Sequence, residues 1–148
     1  MFNFDDSEFL DGIKGALSLK KDIQKCADEV SKKGFKNLFL IGTGGTIACM
    51  YPLEYIIKTN SKMEVHAEIA AEFVLMNHQH FGQKSLCVFV SKSGDTKETV
   101  TAAQFCKDKG ATTIAFVGKT GTPLADICDH VFCNISSDYG EALTVQLL

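Results

Sequence analysis

The sequence predicts an α/β fold: a doubly wound, three-layer αβα sandwich around a five-stranded parallel sheet. Three observations carry that expectation. Short runs of consecutive apolar residues recur along the chain, and runs without polar alternation belong to strands buried on both faces. Segments of helical period separate them. Right-handed crossovers between parallel strands then place helices on both sides of one sheet.

Each element has its own signal. Residues 7–33 predict one helix, because Phe9, Ile13, Ala16, Leu19, Ile23, Ala27 and Val30 fall on one face. Ser7 is a suitable cap, and Lys32-Lys33-Gly34 puts cations and then a glycine at the exit. Lys36-Asn37-Leu38-Phe39-Leu40-Ile41 predicts the first strand. A helix over about 46–58, kinked near Pro52, follows. Residues 63–67 predict a second strand and residues 68–76 a helix. Ser85-Leu86-Cys87-Val88-Phe89-Val90 is the clearest strand. A helix from Asp95 to Lys109 exits at Gly110, residues 112–117 form another strand, and a short helix over 123–128 leads to a fifth strand at 130–133. From Gly140 to Leu148 the pattern is a helix start without an exit signal. The expected organisation is an N-terminal helix over residues 1–35 packed on a domain over residues 36–148.

Composition narrows the function. The chain has 148 residues, 45% of them hydrophobic and 22% charged, which suits one soluble domain and disfavours disorder. Fifteen basic residues stand against eighteen acidic ones, for a net charge of −3; nucleic-acid binders carry a basic excess, so no nucleic acid is expected. No apolar run approaches the ~18–20 residues that span a bilayer, so no membrane partner is expected. The start, Met1-Phe2-Asn3-Phe4-Asp5-Asp6, is acidic and unlike a secretory leader. The expected compartment is the cytoplasm. Cys26, Cys49, Cys87, Cys106, Cys128 and Cys133 form no C-x-x-C pair and are expected to be free thiols. The close pair His78 and His80 has no Cys, Asp or Glu beside it to complete a ligand set, so no metal is expected.

Ligands of an open α/β sheet sit at the carboxyl ends of its strands. Two loops there carry chemistry. Gly42-Thr43-Gly44-Gly45-Thr46 follows the first strand. Its glycines admit close backbone approach, and the helix behind it offers unpaired N–H groups to an anion. A dinucleotide fingerprint competes, with Glu64 in the place of the ribose-binding acid, but Ile47 stands where its last glycine belongs. A purely structural turn is the third reading. The second loop, Ser91-Lys92-Ser93-Gly94-Asp95-Thr96, has three hydroxyls within six residues at a strand-to-helix turn. Such donors, backed by a helix N-terminus, suit a phosphate monoester. Asp95 with Glu98 also makes a capping-box start, the structural alternative. Gly118-Lys119-Thr120 fails as a P-loop, because Thr113 occupies the position of its first glycine. No G-x-S-x-G elbow is present.

The two loops at this spacing resemble the sugar isomerase (SIS) domain, whose S-x-S-G-[DEN]-T signature matches residues 91–96. His66-Ala67-Glu68-Ile69-Ala70-Ala71-Glu72-Phe73 is similar to a segment of the isomerase half of glucosamine-6-phosphate synthase. Gly44-Gly45-Thr46-Ile47-Ala48-Cys49-Met50-Tyr51-Pro52 resembles the G-G-S-x-x-x-M-Y-P segment of the fructosamine-6-phosphate deglycase branch. Residues 82–86, 98–103 and 138–142 look like that branch too.

The resemblance implies a flavodoxin-like fold and a phosphorylated sugar or fructosamine 6-phosphate as ligand. Its phosphate is expected between Ser91, Ser93 and Thr96, with backbone help from Lys92 and Gly94. Gly44, Gly45 and Thr46 are expected to line the sugar side. Lys92 departs from the Gln or His common at its position. The implied chemistry uses no metal and no cofactor: a base moves a proton between adjacent sugar carbons, and water then releases the amine. The base, usually a glutamate, and its partner histidine belong to a second SIS half, and residues of both subunits of a homodimer line each site. No position here matches that base; Glu68, Glu72 and Glu141 are the acids near the expected pocket. An aldose–ketose isomerase and a non-enzymatic sugar-phosphate sensor are the alternative readings.

Overall fold

The structure is a computed structural model and describes residues 6–134. Expectations for residues 138–148, including Glu141 and the helix start at Gly140, lie outside the described residues. Eleven elements follow one another: α1 (Asp6–Ser18), α2 (Lys20–Lys33), β1 (Asn37–Gly42), α3 (Gly45–Asn60), β2 (Glu64–Ile69), α4 (Ala70–Met76), β3 (Ser85–Ser91), α5 (Lys97–Asp108), β4 (Thr112–Val117), α6 (Pro123–Ile127) and β5 (His130–Cys133).

All of β1 and β3 is buried, because helices cover both faces of the sheet. Side chains alternate between those faces, as strand geometry requires. Leu38 and Leu40 of β1, Leu86, Val88 and Val90 of β3, and Ile114 and Phe116 of β4 pack with Cys26 and Val30 of α2 and with Ile47 and Met50 of α3. Their neighbours Phe39, Ile41, Cys87, Phe89, Ala115 and Val117 pack on the other face with Phe73 of α4, Ala102, Ala103 and Cys106 of α5, and Leu124 of α6. The strands run parallel in the order β2-β1-β3-β4-β5. The expected fold class is therefore the observed one.

Four boundaries differ from the sequence reading. The single helix over 7–33 is two helices, meeting at Leu19. There the Leu19 N–H turns back to the Ala16 carbonyl at 3.2 Å and the Ser18 hydroxyl bonds the Gly15 carbonyl at 2.7 Å; Gly12 and Gly15 weaken this stretch as helix. α3 runs unbroken through Pro52 to Asn60. β2 extends to Ile69, so Glu68 is a strand residue rather than the first of a helix. α5 begins at Lys97, not Asp95. Among the described residues, no helix is long and apolar enough to cross a membrane.

α1 is tied to the residue that follows β5. The Asn134 side-chain amide, buried, donates to the Gly12 carbonyl at 2.9 Å. The same amide crowds Gly15, where an added Cβ would lie 2.3 Å from Asn134 Oδ1.

Candidate functional site

The sheet order reverses direction between β1 and β3. From β1 the chain crosses to β2 through α3 on one face. From β3 it crosses to β4 through α5 on the other. The crevice at the carboxyl ends of two such strands is where an open α/β sheet accepts a ligand. Both loops singled out in the sequence open onto this end, and a contact of 3.2 Å between the hydroxyls of Thr43 and Thr99 links the first loop to α5.

In the first loop, α3 starts unusually close to its strand. A Cβ on Gly42 would lie 2.8 Å from Thr46 Oγ1 and 2.9 Å from the Ile47 nitrogen, so a side chain is excluded there. The Thr46 hydroxyl accepts the Thr43 N–H and donates to the Thr43 carbonyl, each at 3.0 Å. It therefore shapes the turn, and its proton is already engaged. Gly44 and Gly45 are exposed, and Gly44 caps α3 without a side-chain hydrogen bond.

In the second loop the hydroxyls divide their work. Ser91 is buried, and its Oγ accepts the Gly94 N–H at 3.0 Å while lying 3.4 Å from Thr96 Oγ1. It holds the loop from beneath. Ser93 and Thr96 are half-buried at the rim, and Lys92 is exposed. Thr96 precedes α5 without a side-chain capping bond. The capping box read at Asp95 and Glu98 is not formed, because the helix begins two residues later. The next crossover supports the loop: the Gly118 N–H donates to the Lys92 carbonyl at 3.1 Å and the Leu124 N–H to the Gly94 carbonyl at 3.0 Å. Gly94 has φ +69°, and a Cβ there would meet Thr122 at 2.3–2.8 Å. Half-buried hydroxyls and two helix N-termini without side-chain caps thus border one crevice, which offers short donors and the positive ends of two helix dipoles.

Of the acids weighed from the sequence, Glu68 sits on β2 and Glu72 on α4, and Glu141 lies outside the described residues. Glu68 pairs with Ile41 near the end of β2, and its carboxylate is gathered with His66 and His78, ligand atom to ligand atom within 4.8 Å. Burial raises its pKa above the ordinary value. Glu72 is exposed on α4.

One cluster escaped the sequence reading. The segment between α4 and β3 folds back on the edge strand and brings His78 and His80 to His66, Glu64 and Glu68. The expectation that no carboxylate stands beside these histidines is thereby corrected. Alternation along β2 was the available signal, since Glu64, His66 and Glu68 share one face of a strand. Hydrogen bonds from His66 and from His80 pull the Glu64 pKa down to about 2. Burial lowers that of His78, and His66 and His80 add to it.

An apolar cavity of about 320 Å³ lies between α2 and the sheet, lined by residues such as Ile23, Val30, Phe35, Leu53 and Phe116. A phosphate has no partner in such a lining. All six cysteines are free, and Cys26, Cys87, Cys106 and Cys128 are buried.

Comparison with known proteins agrees with this architecture. Residues 33–147 match the SIS domain family. Fructosamine deglycase FrlB of Bacillus subtilis is 35% identical over 136 residues, covering 90% of this chain and 40% of that protein. A glutamine–fructose-6-phosphate aminotransferase (isomerizing) of Mus musculus is 28% identical over 144 residues, covering 96% of this chain and 19% of that one. A crystal structure of a proposed phosphosugar isomerase from Bacillus subtilis superposes with a TM-score of 0.75 at 34% identity, covering 86% of this chain and 38% of the other. The chain spans less than half the length of each of these proteins. With the family pattern matched across most of its length and the parallel sheet in place, the chain belongs to the SIS domain family.

Proposed function

We propose that the chain is the phosphosugar-binding SIS domain of a fructosamine-6-phosphate deglycase, and that the crevice between β1 and β3 takes the phosphate. The observation that carries this is the hydroxyl loop at the sheet's switch point, with an uncapped helix N-terminus behind it. Similarity to fructosamine deglycase FrlB supports the deglycase branch. In this reading Ser93 and Thr96 donate to the phosphate directly, with the backbone of Lys92 and Gly94. Ser91 keeps the loop in its binding shape, and Gly44, Gly45 and the Thr46 turn line the sugar side.

The chemistry of the whole protein is the cleavage of an Amadori product into a sugar 6-phosphate and an amino acid, without metal or cofactor, in a cytoplasmic homodimer. The proton-moving glutamate and its histidine come from a second SIS half. The domain anchors the phosphate and so fixes the reacting carbons against those groups, which is the main contribution a binding half can make. An aldose–ketose isomerase shares the same phosphate anchor, and the 28% identity to an isomerizing aminotransferase favours keeping that reading as the rival. Release of free amino acid by the longer protein separates the two.

Calorimetry tests the site. Glucose 6-phosphate is expected to bind and glucose not. Loss of one hydrogen bond to a charged group costs about 1.5–3 kcal/mol. Ser93→Ala should therefore weaken binding at least tenfold. Unchanged affinity in Ser93→Ala refutes the assignment.

A further inference from the structure

A group of metal-ligating side chains sits on the edge strand, away from the crevice. Glu64 opens β2 and pairs with Asn37 at the amino end of β1. The phosphate crevice lies at the opposite, carboxyl end. Glu64 Oε1 meets both His66 Nε2, at 3.0 Å, and His80 Nδ1. The three ligand atoms all lie within 4.8 Å of one another. Ligands of a tetrahedral zinc ion at its usual bond lengths stand roughly 3.3 Å apart, so the triad needs only a small rearrangement around an ion.

The scaffold already orients these groups. The His66 ring stacks on Phe39, with centroids 5.0 Å apart and planes 20° apart. The buried Asn37 amide donates to the His80 carbonyl at 2.7 Å and accepts from the Ser85 hydroxyl at 2.7 Å. The Ser85 hydroxyl in turn accepts the Gly82 N–H at 3.0 Å. The loop carrying His80 is thus pinned from the core, as supporting hydrogen bonds pin the ligands of metal sites. A groove lined by His66, Met76, Asn77, His78, Gln79 and His80 opens beside the cluster and gives an ion access. His78 stands apart chemically. Its Nδ1 accepts the His80 backbone N–H at 3.2 Å, so in the neutral ring the proton sits on Nε2 and no lone pair is left for an ion.

We propose that Glu64, His66 and His80 form a binding site for a divalent transition metal ion of the zinc class, which clips the α4–β3 segment to the edge strand. Two imidazoles and a carboxylate are the donor set that such ions favour, and they leave one position for water.

Zn2+ and Co2+ titrations of the full chain test this. The expected result is one saturable Zn2+ site, with binding weakened at least tenfold in His66→Ala and in His80→Ala and less than threefold in His78→Ala. The His80 side chain is 54% exposed, so its variant should fold, and circular dichroism of the metal-free protein checks this; Glu64→Gln is the second variant. Saturating Zn2+ should also raise the melting temperature of the wild type by more than that of His80→Ala. Co2+ should give d–d bands without thiolate charge transfer. Wild-type affinity in both His66→Ala and His80→Ala overturns the proposal. So does equal loss in His78→Ala, a thiolate band, or the absence of saturable binding.

Discussion

Replacing Gly94 by alanine should do more damage than any other single methyl group added to the binding loop. Two costs add. The backbone at φ +69° is strained for an L residue, at about 1–3 kcal/mol. The new Cβ would also lie 2.3 Å from Thr122 Oγ1, 2.6 Å from its Cβ and 2.8 Å from its Cγ2, and overpacking of this kind costs about 1–3 kcal/mol more. The expected total is roughly 2–6 kcal/mol. Gly121 is the control, with φ +64° and nothing within 4 Å of an added Cβ; Gly121→Ala carries only the first cost. Urea denaturation of both variants should separate them by at least about 1 kcal/mol. Thr122→Gly removes the obstructing atoms and, as an N-cap change, costs only a few tenths itself. Added to Gly94→Ala, it should return most of the second cost, so the pair is non-additive. Equal losses in Gly94→Ala and Gly121→Ala, or strict additivity with Thr122→Gly, would refute the close-approach argument.

Other outcomes follow from the same geometry. Asp129 accepts both the backbone N–H and the hydroxyl of buried Thr113 at 2.9 Å, so Asp129→Ala should cost about 1–3 kcal/mol at pH 7 by leaving that N–H unpaired. Burial opposes the Asp129 charge, but the Thr113 bonds and Lys107 outweigh it and hold its pKa below 3.8; this stability is present above that value and lost as pH falls through the folded one, so the gap between wild type and variant should narrow in acid denaturation. Burial raises the Cys87 pKa and pushes that of Cys128 up to about 12, so a thiol reagent should label Cys49 and Cys133 in the native protein and the four buried cysteines only after unfolding. Thr99→Val breaks the Thr43–Thr99 contact and should cost about 1 kcal/mol of stability, while weakening glucose 6-phosphate binding without abolishing it.

β1, β3 and β4 were legible because each is a run of apolar residues that no other element requires, whereas β2 alternates Glu64, His66 and Glu68 with Val65, Ala67 and Ile69. The β3 run could be placed almost to the residue, since Ser85 and Gly94 bound it chemically. The helix ends were less legible. Leu19 continues the apolar face across the break between α1 and α2, so periodicity alone could not reveal that break. Asp95 and Glu98 have the spacing of a cap, yet the bend at Gly94 delays the helix to Lys97. Within the site, residue identity pointed to the right loop but not to the division of labour. Ser91 and Thr46 carry hydroxyls as Ser93 and Thr96 do, and only burial and hydrogen bonding distinguish those that build the loop from those at its rim. The histidine cluster was hidden for a different reason. His66 and His80 are fourteen positions apart, and the fold back onto β2 that joins them leaves no local signal.

The most direct test of the central claim is amide chemical-shift mapping of the full chain with glucose 6-phosphate, with glucose as the control. The account predicts saturable shifts at the amides of residues 92–98 and 43–47, produced by the phosphorylated sugar and absent with glucose. Shifts centred on the cavity under α2, or equal responses to both sugars, would contradict it.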